Sequence, residues 1–274
     1  MASNILRIGA WLVLALCVAL LLISLYGLTQ TMRPERFEAH ELRFGEMDIR
    51  LSKQDYFNQV KRQPNESDLA YSQRLTKVIA DGTAHIHWED YEPSKFNQLV
   101  PVWENWILYL MGVITPIPEY QRYHFADPYK SMERGIGLCG EVSMVLEQLL
   151  EEQGIPANII TFHGHVVVSA KADGRDIVLD PDFGVVLPYP VSQLEDNITS
   201  VNQRYLASGY TQRDAEFFKG AYNDKFTVWE SASHFITKKY YFEKVSYFAM
   251  WLFPLFGSLI CVLILRRLHT IQLS

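Results

Sequence analysis

Residues 134–184 read RGIGLCGEVSMVLEQLLEEQGIPANIITFHGHVVVSAKADGRDIVLDPDFG. The flexible run Gly135 to Gly140 leads into Val142, Val145, Leu146, Leu149 and Leu150, spaced i, i+3, i+4, i+7, i+8. That spacing predicts one apolar helix face. Glu141 falls in the first turn, where negative charge suits the helix dipole, and Gly154 with Pro156 ends the helix. Two strand-like runs follow, Ala157–Phe162 and His165–Ala170. Asp173-Gly174 is a strong two-residue hairpin turn, and Ile177-Val178-Leu179 is the returning strand. A turn at that position pairs residues whose numbers sum to 347, so His165 faces Asp182 and Val167 faces Asp180. Alternation then puts His165, Asp180 and Asp182 on one sheet face, with Asp180 the diagonal neighbour of His165. The expected fold is therefore α+β, with a Cys-bearing helix packed on an antiparallel sheet.

Cys139 starts that helix. Unpaired N–H groups and the dipole at a helix N-terminus stabilise a thiolate. A histidine beside such a thiol holds its proton and returns it to a leaving amine, and a carboxylate on the other ring nitrogen fixes the imidazole. The N–H of Cys139 supplies half of an oxyanion hole. Cys139, His165 and an aspartate give this chemistry its parts. The pattern alone leaves Asp180 and Asp182 open, and His163 shares a face with His165. His85-Ile86-His87 and His163-Gly164-His165 have metal-pair spacing but no Cys or acidic partner at a distinctive distance, so no metal and no cofactor are called for.

Gly137-Leu138-Cys139, the helix, Gly154-Ile155-Pro156-Ala157, Gly164-His165 and Leu179-Asp180-Pro181 together resemble the transglutaminase-like superfamily over about 50 residues. The resemblance implies a papain-like core with Cys139 as nucleophile, His165 as base and Asp180 as the residue that orients it. Members of that family are transglutaminases, peptidases, amidases and inactive binding versions. The family often carries Trp two residues after the His, where this chain has Val167. An upstream tryptophan helps stabilise the oxyanion in animal members, which brings Trp103 and Trp106 into view beside their ordinary reading as core.

The ends of the chain belong to a membrane. Ile8–Leu28 and Val245–Leu265 are uncharged runs, each about 31 Å long as a helix, the thickness of a hydrocarbon core. Pro254 and Gly257 in the second are tolerated in spanning helices. The expected order is a tail 1–7, a span 8–28, a domain 29–244, a span 245–265 and a tail 266–274. Arg7, Arg266 and Arg267 place both tails in the cytoplasm and the domain in the periplasm, the setting of a two-pass bacterial inner-membrane protein. Of the 25 basic residues those three lie at the ends, leaving 22 against 31 acidic ones in the domain. Such a balance argues against nucleic acid, because phosphate contacts need clustered Lys and Arg. The chain has 3 cysteines; Cys17 and Cys261 lie in the spans, so Cys139 has no disulfide partner in the domain.

Elsewhere the sequence suggests a strand at Glu41–Leu51, helices at Ser67–Ala80 and Val100–Met111, and a break at Thr115-Pro116-Ile117-Pro118. Aromatics from Phe217 to Tyr247 suggest a helix descending to the membrane interface. The resulting expectation is a membrane-anchored acyl-transfer enzyme working through a Cys139 thioester on a peptide or protein amide. The resemblance to anchored family members implies a role in envelope or exopolysaccharide assembly. The contrasting reading is a non-catalytic scaffold that keeps the fold and binds a membrane protein complex.

Overall fold

A computed structural model describes residues 2–45, 48–222 and 225–273 of the 274-residue chain. In chain order its helices and strands are α1 (Ala2–Gly27), α2 (Lys53–Gln59), α3 (Asp68–Gly82), α4 (Trp106–Ile114), α5 (Pro118–Gln121), α6 (Pro128–Arg134) and α7 (Cys139–Glu151). Then come β1 (Ala157–Phe162), β2 (His165–Ala172), β3 (Arg175–Asp180), β4 (Val185–Leu187), α8 (Ile198–Ala207), α9 (Gln212–Ala221), β5 (Thr227–Trp229), α10 (Ala232–Phe235) and α11 (Thr237–Leu273). The fold is α+β, and its residues cluster into two compact units.

The larger unit comprises residues 33–92 and 124–240. Its centre is a five-stranded antiparallel sheet, ordered β4-β3-β2-β1-β5. The β2–β3 register pairs Val168 with Leu179 and Ala172 with Arg175, the sum the hairpin turn dictates. Asp173 at φ 48° and Gly174 at φ 74° form that turn, a two-residue loop with both positions left-handed. One sheet face is covered by α3 and α7. Tyr71, Leu75, Val78 and Ile79 of α3 meet Val142, Val145, Leu146 and Leu149 of α7 over Val168, Ala170, Ile177 and Leu179. Each fully buried aliphatic side chain there contributes about 1.5–3 kcal/mol. The other face carries α8 and α9, whose Val201, Tyr205, Phe218 and Tyr222 cover Ile160, Val167 and Val178. Ser67 caps α3 by accepting from the N–H of Ala70, and Asp127 caps α6, where Pro128 opens the first turn.

The smaller unit groups residues 1–32, 93–123 and 241–274. Among the described residues, two helices are long and apolar enough to cross a membrane, Asn4–Gly27 and Thr237–Thr270, and most of their side chains are uncovered. They approach closely where Gly257 faces Cys17, since a Cβ there would lie 2.7 Å from the sulfur. Pro254 lies inside α11 and has no N–H for the carbonyl four residues back, that of Met250. The indole of Trp106 donates to that carbonyl at 3.1 Å. The amide of Asn105 donates to Ser246 Oγ one turn earlier, at 3.0 Å.

Several expectations change. Among the described residues of Glu41–Leu51 no strand forms: Ala39–Glu41 is a 3₁₀ turn and Leu42 makes only an isolated bridge to Ile86, while positions 46 and 47 lie outside the described residues. Gly45 at φ 56° turns the chain out of an extended path. The helix expected from Val100 starts at Trp106, because Asn105 caps it by accepting from the N–H groups of Ile107 and Leu108. The aromatic stretch Phe217–Tyr247 is not one helix; α9, β5, α10 and the start of α11 divide it, with positions 223 and 224 outside the described residues. β5 adds an edge strand to β1, and Ser231 caps α10.

Candidate active site

Cys139 is the first residue of α7 and half-buried, preceded by the extended Leu138. The N–H groups of Cys139 and Gly140 stand ahead of any intrahelical acceptor, as the first donors of a helix do. The first turn of α7 lies under the start of β2: Ser143 Oγ donates to the Val166 carbonyl at 3.1 Å. His165, which opens β2, lines the same cleft as Cys139.

Nε2 of His165 lies 2.8 Å from Asp180 Oδ2, which leaves Nδ1 as the free nitrogen of the ring. Asp180 is fully buried and its carboxylate is saturated. Oδ2 also accepts from Tyr205 Oη at 2.7 Å, and Oδ1 accepts from the N–H groups of Asp182 at 3.1 Å and Phe183 at 3.3 Å. Tyr205 in turn pairs with Tyr222 at 2.8 Å. Burial works to lower the pKa of His165. The charge and hydrogen bond of Asp180, with Cys139 behind it, outweigh burial and hold the imidazole well above its ordinary value.

The second aspartate has other partners. Asp182 accepts from Arg43 through Nη1 and Nη2, both at 3.2 Å. His85 Nε2 stands 3.6 Å from its other oxygen, and His85 Nδ1 binds Asp48 at 2.8 Å. Burial opposes ionisation of Asp182, but Arg43, His85 and His165 together hold its carboxyl below the usual range. His163 is exposed in the turn between β1 and β2 and faces neither aspartate. His85 is buried on Asp48 while His87 lines the cleft, so the two are not a ligand pair.

Glu141, in the first turn of α7 as expected, is fully buried. Both its oxygens accept from Arg134 Nη2 at 2.8 Å; Ser131 Oγ at 2.8 Å and the Phe125 N–H at 3.2 Å complete the site. His124 joins at 3.1 Å and stacks on Trp88 with ring centroids 4.5 Å apart. Burial opposes the charge on Glu141, and Arg134 and His124 more than restore it, leaving its carboxyl below the usual value. This cluster fixes the turn of α7 that presents Cys139.

A cleft of about 830 Å³ opens over Cys139 and His165. Arg43, Trp88, Leu138, Phe183, Arg213 and Phe217 form much of its wall. Sequence reading gave Arg43, Trp88, Phe183, Arg213 and Tyr205 no place at the site. The nearest usable signal was the clustering of aromatics after Phe217. The tryptophan at the cleft is Trp88; Trp103 and Trp106 belong to the unit of the long helices. Val167 is wholly buried under α8 and α9 in a cluster with Ile160 and Val178, a place sized for an aliphatic side chain. No family model, no curated protein and no solved structure matches this chain.

Proposed function

We propose that the protein is a membrane-anchored, cysteine-dependent acyl-transfer enzyme on a transglutaminase-like plan, with Cys139, His165 and Asp180 as its triad. The single observation that carries the reading is that Cys139 and His165 line one open cleft while His165 is hydrogen-bonded from behind to the buried Asp180. His165 Nδ1 takes the thiol proton, and the sulfur attacks the carbonyl carbon of a peptide or side-chain amide. The oxyanion of the tetrahedral intermediate lies against the N–H groups that open α7. His165 returns the proton to the leaving amine as the C–N bond breaks, and a Cys139 thioester remains. Water or a second amine, deprotonated by His165, then attacks the thioester and frees the thiol. Asp180 holds the imidazolium in register throughout and is not itself protonated.

The test is a labelled thiol-reactive probe on the full chain. Cys139 should be alkylated by iodoacetamide at pH 6 far faster than free cysteine, and His165→Ala should remove the advantage. Equal rates for the folded protein and free cysteine would sink the enzymatic reading and leave the scaffold reading, in which Cys139→Ala is silent. The domain lies on the periplasmic side of a bacterial inner membrane in this reading, supported by Arg7, Arg266 and Arg267 at the ends of the apolar helices. A periplasm-dependent reporter inserted near Glu195 should be active and one at Ser274 inactive; the reverse would put the domain in the cytoplasm.

A further inference from the structure

We propose that α4 and the turn after it, residues 106–117, form a third membrane element that lies in the bilayer interface with its exposed face in the acyl chains. The inference rests on the reading of α1 and α11 as spans. The run Asn105–Pro118 holds no charged residue, and Glu104 and Glu119 bound it. As a helix α4 is about 14 Å long, less than half a hydrocarbon core, so it cannot cross.

Only one side of α4 is occupied. Leu108 and Gly112 are buried, and a Cβ on Gly112 would collide with Leu99 and the carbonyl of Tyr120. Leu110, Val113, Ile114 and Ile117 form the opposite stripe and are 42%, 55%, 70% and 41% exposed. An uncovered aliphatic stripe next to aromatic residues is poorly suited to water. Its position says what covers it. At its start, Asn105 and Trp106 bond to Ser246 and Met250 of α11. Within α5 Tyr120 packs on Phe242, and just after it Tyr123 donates to Glu243 at 2.9 Å. Both ends of the α4–α5 hairpin are therefore tied to α11 within Phe242–Met250, about 12 Å of helix around the start of the uncharged run at Val245. On the other helix, Gly27 near the end of its uncharged run abuts the carbonyl of Trp103. Every anchor sits at the same end of the two long helices. Trp103, Trp106 and Tyr120 at this level match the aromatic belt of a membrane interface.

The test uses the full chain with Cys17, Cys139 and Cys261 replaced by serine, reconstituted in phosphatidylcholine–phosphatidylglycerol bilayers. Single cysteines at Val113, Ile114, Leu12, Leu259 and Glu195 carry a nitroxide, and collision with oxygen is compared with collision with a water-soluble nickel chelate. Oxygen should dominate at Val113 and Ile114, at a shallower depth than at Leu12 and Leu259, and nickel should dominate at Glu195. Nickel dominance at Val113 and Ile114, with Leu12 and Leu259 still lipid-exposed, overturns the proposal and leaves the spans standing. Protection from both reagents at the stripe overturns it in favour of a protein cover, either a second copy or a partner. Nickel dominance at Leu12 and Leu259 overturns the two-span reading itself, and this inference with it.

Discussion

Replacing Tyr205 by Phe tests whether the buried hydroxyl chain behind Asp180 acts as one unit. Tyr205 donates to Asp180 Oδ2, so its remaining partner, Tyr222, is the donor of the 2.8 Å bond between them. Burial first, and the charge of Asp180 second, push both phenols well above their ordinary pKa, so both keep their protons. Tyr205, Asp180 and Tyr222 are at most 2% exposed, so water does not replace a lost partner. Tyr205→Phe removes a hydrogen bond to a charged group, worth about 1.5–3 kcal/mol, and orphans the Tyr222 hydroxyl at a further cost of about 1–3 kcal/mol. Tyr222→Phe removes one neutral bond and orphans no donor, for about 1 kcal/mol. The double variant leaves no orphan and should be no less stable than Tyr205→Phe alone. The cycle should thus show a coupling of about 1–2 kcal/mol, read from urea unfolding of the detergent-solubilised protein by tryptophan fluorescence. Additive losses, or equal losses for the two single variants, would refute the directed chain. Alkylation of Cys139 should also slow in Tyr205→Phe, because Asp180 keeps only its two backbone donors and His165.

Glu141→Gln should cost about 3–5 kcal/mol in the same unfolding assay, because it removes the carboxylate charge paired with the Arg134 guanidinium, which is 0% exposed; a loss below about 1 kcal/mol would refute the ion-pair account. Glu147 behaves oppositely. Burial raises its carboxyl to about 7, against lowering by the Ala232 N–H. Its folded pKa exceeds the unfolded value, so it makes stability fall as pH rises from about 4.5 to 7. Glu147→Gln should flatten that slope and stabilise the protein above pH 7 by at most about 3 kcal/mol; an unchanged slope would refute the assignment. Asp180→Asn should narrow the range of pH over which Cys139 out-reacts free cysteine. Losing the adjacent charge lowers the pKa of His165 by about 1–3 units, so the imidazolium is lost at a lower pH. A profile identical to wild type would remove Asp180 from the proposed triad.

The parts of the fold legible in the sequence are those written locally. Asp173-Gly174 admits one turn type, that turn fixes the register, and the register sets His165 diagonal to Asp180. The apolar stripe of α7 and the Ser67 cap of α3 are equally local. What could not be read depends on distant partners. Arg43 and Asp182 are 139 residues apart in the chain, and no pattern in either segment announces the other. Glu141 reads only as a first-turn charge, and the burial by Arg134, Ser131 and the Phe125 N–H that close around it is not written locally. β5 is three residues long and owes its existence to the open edge of β1. The extended-looking run after Glu41 fails as a strand because its side chains serve another purpose: Arg43 and Asp48 reach Asp182 and His85. Residues 93–123 carry two helices whose apolar faces group them with the long helices, a division that composition does not mark.

The choice between the two aspartates follows from charge as much as from reach. Asp180 and Asp182 are both buried, and both feel His165. A single imidazolium shared by two buried carboxylates has no reason to hold one orientation, and a buried carboxylate without its own cation favours protonation. Arg43 resolves this by binding Asp182 through both terminal nitrogens, with His85 on the remaining oxygen side. Asp182 is then neutralised locally, and Asp180, with no guanidinium of its own, is left to His165. The hydrogen bonds agree, since every remaining acceptor direction of Asp180 is filled by Tyr205 and two backbone N–H groups. Arg43 thus acts on the His165–Asp180 pair without touching it: by claiming Asp182 it leaves His165 one carboxylate to align with.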